Sequence, residues 1–207
     1  MAQAMENSPA ENSSPIVSEP PIEPQEIIAA DNQEPIPNEP IAATLESSSI
    51  ETVAIGDSVM LGAKGALKES LENVTVNAAV GRQFTEVYRI VKKLKRTNKL
   101  PPFVFIHTGT NGTIEKETLV DMMELLRDCR KVVIFDLRVP RKWQDSNNRI
   151  LNSVVPRYEN AVLVDWQKES SSRKGVFCKD GIHLNPKGAA FYAQLVSKAL
   201  INNKQDK

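Results

Sequence analysis

The sequence predicts a three-layer α/β/α domain on a five-stranded parallel sheet, preceded by an acidic, proline-rich leader that cannot build a core. Three observations carry this. Composition changes sharply near residue 50, short β-branched runs then alternate with helix-period segments, and most of those runs are apolar at consecutive positions. Strands of that last kind are buried on both faces, as in a parallel sheet covered by helices.

Residues 1–50 hold eight of the chain's 13 prolines and nine Asp or Glu, with no Lys, Arg, Gly or aromatic residue. Such a segment reads as a disordered Pro/Glu/Ser-rich leader or linker, semi-extended like a spacer. The formal net charge of zero hides an asymmetry, because only 17 acids remain after residue 50 against all 26 Lys and Arg. A positive excess suits an anionic polymer such as nucleic acid or cell-wall glycan, or is plain solvated surface. No basic stretch interleaves with aromatics, so nucleic acid is not expected as a partner. Residues 51–207 are one domain's worth of chain, enough to bury roughly 70% of its unfolded surface.

In chain order, strands are predicted at Val53–Ile55, Val74–Val76, Phe103–Ile106, Val132–Phe135 and Val162–Val164. Between them Val87, Ile90, Val91 and Leu94 recur at helical spacing, as do Leu119, Met122, Met123 and Leu126. The final helix opens at Asn185-Pro186, a capping residue followed by proline at the first helical position, and presents Ala189, Tyr192, Ala193, Val196 and Leu200 on one face. About five helices result.

Reactive groups in open parallel sheets collect beyond the carboxyl ends of the strands. Gly56-Asp57-Ser58 follows the first strand, Ala78–Gly81 the second, Thr108–Gly112 the third and Arg138–Trp143 the fourth. A serine hydroxyl needs a general base, and His183 is one of two histidines in the chain. Asp180 stands three residues earlier in Asp180-Gly181-Ile182-His183, so one tight turn brings its carboxylate against the imidazole and fixes the tautomer. The expected catalytic set is Ser58, Asp180 and His183, and the chemistry is acyl transfer through serine. Backbone N–H groups of Ser58 and Gly81 and the amide of Asn111 are the expected oxyanion donors. Asp57 is read as stabilising the serine turn and His107 as a packing residue.

These blocks resemble the SGNH (GDSL-like) hydrolases, named for Ser, Gly, Asn and His, which match here as Ser58, Gly81, Asn111 and His183. The resemblance covers residues 51–207 and implies the three-layer, flavodoxin-like SGNH fold. The GxSxG signature of ordinary α/β-hydrolases is absent. Within the family, GDSVMLGA at the serine, VGRQ at the glycine and the run Arg138-Val139-Pro140-Arg141-Lys142-Trp143-Gln144-Asp145-Ser146-Asn147 look like the C-terminal extracytoplasmic domain of Gram-positive peptidoglycan O-acetyltransferases. That resemblance implies acetyl transfer onto the C6 hydroxyl of N-acetylmuramic acid in peptidoglycan glycan strands. It also implies an acetyl donor, and a membrane acyltransferase domain or partner that supplies the acetyl groups. The alternative is a carbohydrate acetylesterase, or another small-ester or thioester hydrolase, with the same residues and water as acceptor.

Arg82, Gln83, Arg138 and Trp143 flank the strand ends and are candidate acceptor contacts, because forked guanidinium donors and an aromatic face suit an acetamido- and carboxylate-bearing sugar. No cofactor and no metal site are expected. Cys129 and Cys178 permit a disulfide without requiring one. No signal peptide or membrane-length apolar run occurs in the sequence. A cytoplasmic protein and the soluble part of a membrane-anchored one both fit, and the leader favours the second, at the cell surface.

Overall fold

The structure is a computed structural model that describes residues 51–201; the expected leader at 1–50 and residues 202–207 lie outside the described residues. The described chain runs β1 (Thr52–Gly56), α1 (Ser58–Gly62), α2 (Lys64–Ser70), β2 (Val74–Ala78), α3 (Phe84–Arg96) and β3 (Phe103–His107). It continues through α4 (Lys116–Leu125), β4 (Lys131–Phe135), α5 (Gln144–Val154), β5 (Ala161–Val164), α6 (Trp166–Ser171) and α7 (Pro186–Ile201). All five expected strands are present, each slightly longer than its apolar run. Seven helices are described where the periodicity predicts about five, because α1 and α6, of five and six residues, are too short to repeat a helical stripe.

The sheet is parallel throughout, in the order β2-β1-β3-β4-β5. Every residue of β1, β3 and β4 is buried, whereas the edge strands β2 and β5 bury only their first residue fully. Successive side chains of a strand face opposite ways, so each inner strand feeds two cores. Ala54, Phe105, Val133 and Phe135 meet Met60, Leu67, Tyr192 and Val196 from α1, α2 and α7. On the other face Ile55, Val104, Ile106 and Ile134 meet Val87, Val91, Leu119, Met122 and Leu151 from α3, α4 and α5.

β1 lies between β2 and β3, so the chain leaves it first to one side and then returns to the other. That reversal opens a crevice beyond the carboxyl ends of β1 and β3. His107, the last residue of β3, does not enter the crevice chemistry. It is buried among Phe135, Trp166 and Tyr192, its Nδ1 lies 2.9 Å from the Tyr192 hydroxyl, and burial holds its pKa below the ordinary value. Cys129 is buried and Cys178 exposed, and both are free thiols.

Asp136 follows β4 and is nearly buried, its Oδ1 accepting the Gln167 backbone N–H at 2.8 Å. Burial, aided by the neighbouring Asp165 carboxyl, raises its pKa from 3.8 to about 6 against the opposing pull of that backbone bond. Between about pH 4 and 6 the folded domain therefore keeps a proton that the unfolded chain has released, so stability falls as pH rises through this window. Asp136→Asn retains the acceptor oxygen and removes the charge. The expected result is an unfolding midpoint about 5 °C higher at pH 7, with the gain fading below about pH 4, followed by thermal unfolding across pH. Equal midpoints at pH 7 would refute the burial argument.

Candidate active site

Asp57, between β1 and α1, is fully buried. Its Oδ1 accepts the Val59 N–H at 3.0 Å, capping α1, and its Oδ2 accepts the Thr110 N–H at 3.3 Å. A buried carboxylate is tolerated only with such donors. One side chain thus ties the serine turn to the loop after β3. Ser58 becomes the first residue of α1, nearly buried, with its backbone N–H at the helix start.

His183 reaches Ser58 from the far end of the chain, its Nε2 lying 3.0 Å from Ser58 Oγ. Its Nδ1 is 2.7 Å from Asp180 Oδ2. The other oxygen, Asp180 Oδ1, accepts the backbone N–H groups of Ile182 at 2.9 Å and His183 at 3.0 Å. The bond to His183 and then these two N–H groups hold the Asp180 carboxyl down at about pKa 2. Gly181 makes the turn possible, with φ of 70°, in the left-handed region that side chains rarely occupy. The side chains of Asp180 and His183 are each 46% exposed, so this end of the crevice is open to solvent.

The loop that carries them is held from three sides. Cys178 N–H donates to the His183 carbonyl at 2.7 Å, Phe177 and Leu184 form an antiparallel bridge, and Asn185 donates to the carbonyls of Gly175 and Phe177 at 2.9 and 3.2 Å. Asn185 also accepts the Gly188 N–H at 3.0 Å as the cap of α7. From the β4 exit Arg138 donates Nη1–H to the Gly181 carbonyl at 2.6 Å and lies over the Phe177 ring at 4.0 Å.

The two remaining loops are joined as well. Asn111 Nδ2 donates to the Arg82 carbonyl at 3.3 Å, and Gln83 Nε2 donates to the Asn111 carbonyl at 3.0 Å and the Gly81 carbonyl at 3.4 Å. Arg82 donates to Gly56 O at 3.0 Å and to Asn77, and Trp143 Nε1–H donates to Gly109 O at 3.1 Å. The four residues read from sequence as acceptor contacts therefore border the crevice with donors already committed to backbone carbonyls. Carbonyls beyond strand ends have lost their ladder partners, and long polar side chains satisfy them. Sequence reasoning missed Asn147 and Asn148, which hold the β3 and β4 exits. The available signal was polarity at buried positions of a helical stripe, with Leu151 and Val154. Among the described residues no group of three or more His, Cys, Asp or Glu is placed to hold a metal ion.

No family model matches the chain. Peptidoglycan O-acetyltransferase OatA of Listeria monocytogenes is 33% identical over 170 residues, which is 82% of this chain; the chain spans 27% of that protein's length. The solved C-terminal catalytic domain of Streptococcus pneumoniae peptidoglycan O-acetyltransferase A, carrying a methylsulfonyl adduct, superposes with a TM-score of 0.65 at 20% identity, covering 73% of this chain and 92% of that one. A lipolytic protein of the G-D-S-L family from Veillonella parvula superposes with a TM-score of 0.56 at 19% identity, covering 72% and 98%. At these identities the solved structures show a shared fold.

Gly188, in the first turn of α7, lies so close to Val176 that a Cβ would collide with its carbonyl oxygen, the acceptor also of the Asn185 N–H at 3.2 Å. Gly188→Ala is expected to destabilise the domain by about 1–3 kcal/mol and to raise amide exchange across 177–185. Gly65→Ala, in α2 where a Cβ meets nothing, should be neutral or stabilising by about 0.5–1 kcal/mol. Thermal unfolding of the two variants checks this. Matching midpoints would remove the close approach as a constraint on the His183 loop.

Proposed function

We propose that the protein is a serine-dependent O-acetyltransferase of the SGNH, or GDSL-like, type, carrying an acetyl group through Ser58 to the C6 hydroxyl of N-acetylmuramic acid in peptidoglycan. The observation that carries the reading is the unbroken chain from Ser58 Oγ through His183 to Asp180, at 3.0 and 2.7 Å, beside a helix start and the Asn111 loop. The relative of stated activity over 82% of this chain supports the acetyl group and the wall glycan.

In this reading His183 Nε2 takes the Ser58 proton as Oγ attacks the acetyl carbonyl carbon of the donor. Charge develops on the carbonyl oxygen, and the N–H groups of Ser58 and Gly81 with the Asn111 amide receive it. The tetrahedral intermediate collapses, the donor's leaving group departs with the proton from His183, and an acetyl ester remains on Ser58. His183 then takes the proton of the sugar hydroxyl, whose oxygen attacks the acetyl carbon. Collapse breaks the bond to Ser58 Oγ, which regains its proton. Asp180, ionised throughout, keeps Nδ1–H directed at itself and steadies the imidazolium.

In the same proposal the domain works at the extracytoplasmic face, on peptidoglycan glycan strands, with residues 1–50 as spacer and a membrane acyltransferase domain or partner passing it acetyl groups. Among the described residues no helix is long and apolar enough to cross a membrane. A second reading, acetylester hydrolysis, is favoured by the half-exposed Asp180 and His183 side chains, because water reaches the acyl-enzyme as readily as a sugar does.

Ser58→Ala is expected to reduce p-nitrophenyl acetate turnover to the uncatalysed background and to abolish covalent labelling of the domain; undiminished turnover would sink the proposal. Supplying the parent chain with an acetyl ester and muramyl oligosaccharides should yield acetylated sugar by mass spectrometry, whereas free acetate as sole product would favour the esterase. The pH profile carries a further expectation. The depressed pKa of Asp180, about 2, keeps its carboxylate charged through the range where an ordinary aspartate protonates. The acid limb of kcat/KM should then show no added steepening near pH 4 from loss of this carboxylate. A slope of two below about pH 4 would contradict the Asp180 geometry.

A further inference from the structure

Helix α5 carries an amide where its apolar stripe is due. Asn147, Leu151 and Val154 fall on one buried face, and Asn147 is 0% exposed. An apolar side chain there would pack without needing partners, whereas a buried amide is costly unless its donors and acceptor are met. Asn147 meets them all on one loop. Its Oδ1 accepts the Ile114 N–H at 2.9 Å, and its Nδ2 donates to Gly112 O at 2.9 Å and, more distantly, to Gly109 O at 3.4 Å. Trp143, one turn earlier, adds its Nε1–H to the same Gly109 carbonyl at 3.1 Å.

The loop needs holding. Gly109 has φ of 105°, which side chains rarely adopt, and a Cβ there would press on Leu137, Ile114 and Asn147. Glycine takes up that conformation freely, and it brings no side chain of its own to anchor the turn. Asn111 lies between the clamped points, Gly109 on one side and Gly112 and Ile114 on the other. From the opposite side the loop is tied to the serine turn, where Asp57 accepts the Thr110 N–H at 3.3 Å, and Asn111 itself meets the β2 exit through Arg82 O and Gln83.

We propose that Asn147 is a positioning residue for the acyl-transfer step: with Trp143 it clamps the Gly109–Ile114 loop from α5 and so sets the aim of Asn111 at the oxyanion. This rests on the oxyanion role given to Asn111 above. It also makes Trp143 a framework donor, so that its indole N–H serves the loop and not the sugar.

Two variants test it in the full chain with p-nitrophenyl acetate. Asn147→Asp keeps the size and the acceptor for Ile114 but turns a carboxylate oxygen toward two carbonyls. Trp143→Phe keeps an aromatic ring, smaller than the indole, and deletes one donor. The expected losses in kcat are about ten- to a hundredfold and about three- to tenfold respectively, with KM within about twofold, because a misaimed donor weakens only the transition state. In an Asn111→Ala background both substitutions should cost little more, within about twofold, since the group they aim is gone.

Losses that multiply unchanged in that background would make the clamp a general stability feature and overturn the inference. A rise in KM at constant kcat would make Trp143 a substrate contact and overturn it too. Should Asn147→Asp fail to fold, the Trp143→Phe cycle carries the test, and an unaltered kcat there is decisive against it. A parent chain without Ser58-dependent turnover would overturn the functional reading as well, a result distinct from an additive cycle.

Discussion

A carboxylate with no exposure to water, Asp57, sits between the serine turn and the loop after β3, held by the N–H groups of Val59 at 3.0 Å and Thr110 at 3.3 Å. Each loop is tied to the other through this one side chain. If Thr110 moved away, half of a buried charge would lose its partner, at a cost that exceeds most single contacts. Because β1 and β3 are neighbours where the strand order reverses, this carboxylate spans the mouth of the crevice. It sets Ser58 beside Thr110, the residue before Asn111.

The other strand exits are joined by the complementary device, a polar side chain donating to a backbone carbonyl of the next loop. Arg82 runs from the β2 exit to Gly56, Gln83 to Asn111, Trp143 and Asn147 to Gly109, and Arg138 to Gly181. Five separate loops become one frame. The arrangement accounts for a precise Ser58–His183 approach at an open edge, where desolvation does little to confine the imidazole. An open edge also suits a polymeric acceptor under the proposed function.

The two histidines show how completely surroundings decide a role. His107 ends β3 among aromatic rings, where burial disfavours its charged form and Tyr192 meets its Nδ1. His183 stands half in water on a short loop, with a carboxylate on one nitrogen and a serine hydroxyl on the other. Only the second has a ring nitrogen beside Ser58 at the solvent-open end of the crevice, among the described residues.

Much of this was legible before any coordinates. Consecutive apolar residues specify strands buried on both faces, and a capping Asn before proline marks the start of α7, because these signals act between near neighbours. Asp180 and His183 were legible as a pair for the same reason, three residues apart around a glycine turn. The partnership of Ser58 with His183, 125 residues distant, could be read because a serine nucleophile needs a base and the chain has two histidines. What only the tertiary structure decided is which carbonyl each long polar side chain meets. Arg138, Trp143 and Asn147 sit in one readable run, yet their partners, Gly181, Gly109 and Gly112, are brought to them by the order of strands in the sheet. Hydrogen bonding is short-ranged and indifferent to sequence distance, so residue type alone leaves the partner open until the fold supplies it.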